Sequence, residues 1–142
     1  MSSEQYHVFV YGTLQPGQVN YQRCAEYVVH SVAATISAKL FNLSCGYPAI
    51  THGSDKVSGW VLTFTDISAL SNLDQLEGFD ASGRSGDNLY DRQVVTASTK
   101  SGEALQAYVY VMTPEKVESI GGQHIPAGIW TSLLFPSTYT GE

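Results

Sequence analysis

The chain of 142 residues has a formal net charge of −6, with 7 Lys and Arg against 13 Asp and Glu, and 43% of its residues are hydrophobic. A chain of this length buries roughly two-thirds of its unfolded surface, enough for one sizeable core. The acidic balance, without any lysine or arginine cluster, argues against a nucleic-acid partner. The absence of a long apolar stretch or a charged-then-apolar leader argues against a membrane or secreted protein, and a cytoplasmic one is expected.

The opening segment His7-Val8-Phe9-Val10-Tyr11 is apolar on both faces, as expected for a central strand. Gly12 ends it, and Tyr11-Gly12-Thr13-Leu14 leads into Gln15-Pro16-Gly17-Gln18. A turn of this kind leaves backbone N–H groups free to face an anion or a polarised carbonyl. A plain strand-ending turn has the same composition. Asn20 to His30 suits a short helix, and Val32 to Leu43 alternates through Ile36, Ala38 and Leu40 as a strand. A turn is expected at Cys45-Gly46-Tyr47-Pro48, then a strand from Val57 to Phe64 with Trp60, Leu62 and Phe64 on one face.

The run from Thr65 to Gly78 predicts a helix with an apolar stripe of Ile67, Leu70, Leu73 and Leu76, an N-cap at Asp66 and a terminating Gly78. Glu77 falls at the negative end of this helix, one turn after Asp74. Both neighbours, together with partial burial, predict a raised pKa, which suits a carboxyl that takes and returns a proton near neutrality. The competing reading is a solvated glutamate on a fraying turn. Ala81 to Asn88, rich in Gly, Ser and Asp, reads as a loop, either a lid or surface slack. Tyr90 to Thr96 and Leu105 to Met112 read as a hairpin turning at Lys100-Ser101-Gly102-Glu103. The elements amount to an α+β domain over residues 1–135 with a closed or nearly closed sheet, and residues 136–142 are expected to form a poorly ordered tail.

The four histidines, His7, His30, His52 and His124, are scattered without metal-ligand spacing, and His7 and His124 are expected in structural or surface roles. Cys24 and Cys45 are compatible with a disulfide, although two thiols suit a cytosolic protein better. There is no GxSxG elbow, P-loop or GxGxxG, and no histidine is evidently placed to serve Ser44, Ser58 or Ser68. An enzyme built from this chain is therefore expected to use no cofactor, no metal and no activated serine.

Tyr11-Gly12-Thr13-Leu14, Gly17-Gln18-Val19-Asn20, Leu73-Asp74-Gln75-Leu76-Glu77-Gly78, Tyr90-Asp91-Arg92-Gln93-Val94-Val95, Ala107-Tyr108-Val109-Tyr110-Val111 and Ile125-Pro126-Ala127-Gly128-Ile129-Trp130 occur in this order. Together they resemble the gamma-glutamylcyclotransferase-like (AIG2-like) family. The resemblance implies a small mixed β-barrel with a few short helices. It also implies a transferase or lyase chemistry in which a γ-glutamyl compound's own α-amine attacks its γ-carbonyl, giving 5-oxoproline and a released amine. Such intramolecular reactions reach effective molarities of ~10⁵ M when well oriented.

By that resemblance Glu77 acts as base and then acid. The backbone of Gly12, Thr13 and Leu14, with the Thr13 hydroxyl, holds the glutamyl carboxylate or the carbonyl oxygen. One such donor is worth about 3 kcal/mol in the barrier. Tyr11 lines the pocket or simply ends the strand in the core, Tyr90 and Tyr110 offer hydroxyls at the rim, and Arg92 pairs across strands or offsets nearby acidic groups. The chain departs from the family pattern at Val19, where proline is common, at Tyr21, where histidine is frequent, and in a longer stretch between Gly78 and Tyr90. These departures bear on the substrate more than on the chemistry. The implied partner is a small γ-glutamyl amino acid or γ-glutamyl amine, since the acidic chain does not favour an acidic carrier. A noncatalytic ligand-binding or interaction domain is the rival reading, and the oligomeric state is open.

Overall fold

The computed structural model describes residues 5–12, 14–16, 21–43, 48–76 and 90–130. Strand β1 (Tyr6–Val10) is followed by two 3₁₀ turns, Tyr21–Arg23 and Ala25–Tyr27, and then by the long strands β2 (Val28–Asn42) and β3 (Pro48–Phe64). Helix α1 (Ile67–Leu76), strands β4 (Asp91–Thr99) and β5 (Ala104–Val111), helix α2 (Pro114–Ser119) and the short strand β6 (Gln123–His124) complete the order. The strands are arranged β3-β1-β5-β4-β2-β6, and β3 also pairs with β2. That last pairing closes the first five strands into a barrel. All the pairings are antiparallel except β1 with β5, which meet in parallel at Val8 and Tyr108.

Closing so small a barrel demands strong bending, and the long β2–β3 ladder supplies it through register shifts at Val28/His30 and Ala38/Lys39. The seam between β2 and β4 is short, with only Ala34↔Thr99 and Thr35↔Ser98 in register. β1 lies between β3 and β5, as its two apolar faces predict. Phe9 points into the interior with Ile36, Leu40, Val57, Val61, Ala97, Ala107 and Val109, whereas Val8 and Val10 pack in an outer layer with Leu62, Phe64, Leu70 and Leu73. Each face therefore buries against a core of its own. Alanines at 34, 38, 97 and 107 sit among the larger interior side chains and fit the narrow lumen.

Helix α1 starts where its cap predicts, with the Ser68 N–H donating to Asp66 Oδ1 at 2.9 Å. Its buried face differs from the expected stripe. Ala69, Leu70 and Leu73 are buried, but Ile67 is 53% exposed. A strict spacing of three drifts around a helix of about 3.6 residues per turn, so one end of such a row leaves the interface. Of the stretch from Asn20 to His30, expected to hold a short helix, residues 21–30 form the two 3₁₀ turns and the start of β2. The expected turn at residues 45–47, the terminator Gly78, the 81–88 loop and the 136–142 tail lie outside the described residues.

Candidate active site

Strand β1 delivers Tyr11 into the interior layer, where its hydroxyl donates to the Tyr110 carbonyl oxygen at 2.7 Å. Gly12 follows with its backbone pressed on the Pro48 ring, and a Cβ there would sit 2.6 Å from Pro48 Cγ. The turn closes through Gln15, whose backbone N–H donates to the Gly12 carbonyl at 3.0 Å. The Gln15 side chain adds a second bond to that carbonyl at 3.2 Å and one to the Trp130 carbonyl at 3.3 Å. Trp130 is itself fixed by its indole N–H on Asn42 Oδ1 at 3.0 Å. Leu14 is buried in the outer core.

On the other side of the site, α1 brings Asp74 to the same strand β5. The Tyr110 hydroxyl donates to Asp74 Oδ1 at 2.7 Å, and Arg92 on β4 binds Oδ2 at 2.6 Å. Tyr110 thus touches both approaches: its carbonyl holds the residue before Gly12, and its hydroxyl holds the last turn of α1. The Arg92 guanidinium also lies over the Tyr108 ring, 4.8 Å from the centroid. Tyr90 donates its hydroxyl to the Pro48 carbonyl at 2.7 Å, so the residue beneath Gly12 is anchored in turn.

The structure brings together Tyr11, Gly12, Leu14, Tyr90 and Tyr110 around Pro48 and β5. Thr13 and Glu77 lie outside the described residues. Tyr90 and Tyr110, expected at a rim, are buried to 4% and 2% exposure, and their hydroxyls bind protein acceptors. Arg92 binds the helix carboxylate of Asp74, the second of the two roles expected for it. Asp74, expected as a negative neighbour of Glu77, forms an ion pair with Arg92. Sequence reasoning missed the roles of Gln15, Pro48 and Asp74. All three act through contacts distant in the chain, and only the Asp74-Gln75-Leu76-Glu77 run offered any signal.

Among the described residues, no group of three or more His, Cys, Asp or Glu side chains is placed to hold a metal ion, and no helix is long and apolar enough to cross a membrane. His7 Nδ1 meets Thr63 Oγ1 at 2.8 Å and His124 Nε2 meets Asp55 Oδ2 at 2.8 Å. Cys24 is a buried thiol whose burial pushes its pKa up to about 11.

A closed five-stranded mixed barrel with a short helix packed on it defines the class of gamma-glutamylcyclotransferase-like α+β barrels. The family model described as "Gamma-glutamyl cyclotransferase, AIG2-like" matches residues 8–132, and the chain belongs to that family. It is 30% identical over 105 residues to a gamma-L-glutamyl-butirosin B gamma-glutamyl cyclotransferase of Niallia circulans, a match that takes in 73% of this chain and 66% of that relative. An AIG2-like protein from Mus musculus superposes with a TM-score of 0.65 at 21% identity, covering 98% of this chain and 97% of that one. YkqA from Bacillus subtilis gives a TM-score of 0.67 at 21% identity, covering 95% of this chain and 44% of that one. The chain therefore spans just under two-thirds of the curated relative and under half of YkqA.

Proposed function

We propose that the protein is a cofactor-independent cyclotransferase that converts a small γ-glutamyl amine or γ-glutamyl amino acid into 5-oxoproline and the free amine. Glu77 removes a proton from the substrate's α-ammonium, and the freed amine attacks the γ-carbonyl. The C–N bond to the leaving group then breaks as Glu77 returns the proton to the departing nitrogen. The Gly12, Thr13 and Leu14 backbone and the Thr13 hydroxyl hold the glutamyl carboxylate or the developing oxyanion. Tyr11, Tyr90 and Tyr110 shape the wall behind that loop.

One observation carries this reading. Tyr110 is bonded through its carbonyl to Tyr11 and through its hydroxyl to Asp74. The residue entering the first loop and the residue three positions before Glu77 therefore meet a single strand residue. Family membership and the cyclotransferase name of the Niallia circulans relative add support.

The test is a panel of γ-glutamyl amides assayed for 5-oxoproline, with Glu77→Gln beside the parent. Turnover by the parent and none by the variant, with 5-oxoproline binding kept, is the expected result. A Glu77→Gln protein working at the parental rate removes the assigned role. A folded parent that binds 5-oxoproline but turns over no amide favours a binding domain.

A further inference from the structure

The start of β2 carries a bulge that decides which way a histidine faces. Val28 pairs with Phe64 and His30 with Thr63, so two steps along β2 match one along β3, and Val29 is the extra residue. Val28 accordingly packs in the outer layer with Phe64, while Val32 packs against the barrel interior. Counting back from Val32, strand alternation puts His30 on the interior side too, in the layer next to Phe9, Val61 and Val32. Without the extra residue, Val28 and His30 would share the outer face.

His7 of β1 completes that layer from the other flank of β3. It also pairs with Thr63, and its Nδ1 meets Thr63 Oγ1 at 2.8 Å. His7, Thr63 and His30 therefore form one row across three adjacent strands. His30 is exposed and His7 half-buried, and no hydrogen bond or ion pair among the described residues engages the His30 ring. A residue between two antiparallel neighbours makes a close pair with one and a wide pair with the other, at about 4.5 and 5.5 Å, so the two histidine Cα atoms lie about 10 Å apart. An imidazole with a metal–nitrogen bond of about 2.0–2.1 Å reaches about 6 Å from its own Cα, and one ion can bridge both rings. With Nδ1 of His7 held by Thr63, Nε2 is the nitrogen left to bind, and a neighbouring oxygen of this kind orients a metal-ligating imidazole.

We propose that His7 and His30 form an open two-histidine site for a divalent transition-metal ion of the imidazole-preferring kind, such as Zn²⁺, with water in its other positions. Two protein ligands are too few for a closed structural site. The net charge of −6 favours a cation over an anion. The row lies roughly 16 Å of extended chain before Gly12, and its metal binding does not depend on the activity proposed above.

Isothermal titration calorimetry of Zn²⁺ into the untagged 142-residue chain tests this. The parent should bind one ion per chain, and His7→Gln and His30→Gln should each lose affinity by about tenfold or more, since a single imidazole remains. His52→Gln and His124→Gln should match the parent. Because the His30 side chain is exposed, its variant is expected to fold, and it decides the matter alone if His7→Gln does not. With Cu²⁺ as a second probe, paramagnetic broadening should reach the His7 and His30 ring signals before those of His52 and His124. A parent that binds no Zn²⁺, parental affinity in His30→Gln, an equal loss in His52→Gln or His124→Gln, or uniform broadening of all four rings overturns the inference.

Discussion

Gly128 offers a stability prediction that can be worked from geometry. Its φ is +73°, and a Cβ would lie 1.8 Å from the Lys56 carbonyl oxygen and 2.9 Å from the Lys56 carbonyl carbon. Gly102, in the β4–β5 hairpin, has a φ of +94° with nothing within 4 Å of its Cβ position. Gly102→Ala therefore carries only the left-handed backbone cost, about 1 kcal/mol. Gly128→Ala carries that cost and an overlap that no rotamer relieves, because the clashing atoms are backbone. To escape it, the segment has to lift away from β3. Lifting breaks the 2.8 Å bond from the Ser58 N–H to the Gly128 carbonyl, and one such bond contributes about 1 kcal/mol. It also loosens Ile125 and Trp130, both buried in the barrel interior, where full burial of a large apolar side chain contributes about 1.5–3 kcal/mol. Losing half of that burial brings the total to about 4 kcal/mol, so the two alanine variants should differ by about 3 kcal/mol. Urea unfolding followed by tryptophan fluorescence measures this difference, provided the slopes with denaturant stay equal. Losses that agree within about 0.5 kcal/mol would refute the described seating of Gly128 against Lys56.

Asp66→Ala removes the acceptor for the Ser68 N–H and should lower stability by about 1 kcal/mol in a thermal melt, whereas a loss near zero would mean the cap contributes nothing. Burial lifts the Cys24 thiol from 9.0 to about 11. The native state thus holds this proton more tightly than the unfolded chain does, so the stabilisation is complete below about pH 9 and is lost as the pH rises toward about 11. Cys24→Ala should flatten that alkaline decline relative to the parent in chemical denaturation at stepped pH, and an unchanged slope would assign the decline to other groups.

The sequence made the strand framework legible wherever apolar periodicity was uncontested. β1, the buried half of β2, the second half of β3 and the β4–β5 hairpin all follow from alternation and turn residues. The first half of β3 did not, because His52-Gly53-Ser54-Asp55 lacks strand formers; Thr51 pairs with Lys39 and Asp55 with Ala38 of β2, and the three residues between them bulge from that ladder. Helix α2 was also missed, although Thr113 caps it through the Lys116 N–H and Pro114 opens it, a short but interpretable start signal. At the candidate site, motif order alone pointed to the first loop and the Asp74–Glu77 run. The bonds among Tyr11, Tyr110, Asp74 and Arg92 join residues up to 99 positions apart, and no local pattern encodes such pairings.

The parallel pairing of β1 with β5 also constrains how the protein is made. As the chain leaves the ribosome, β2 and β3 can zip together as neighbours and β1 can pair along β3, but the other edge of β1 waits for a companion that is translated far later. A nascent chain halted before Ala104 has the long hairpin and lacks the strand whose Tyr110 carbonyl accepts the Tyr11 hydroxyl. The second edge of β1 is therefore covered late, with the synthesis of β5.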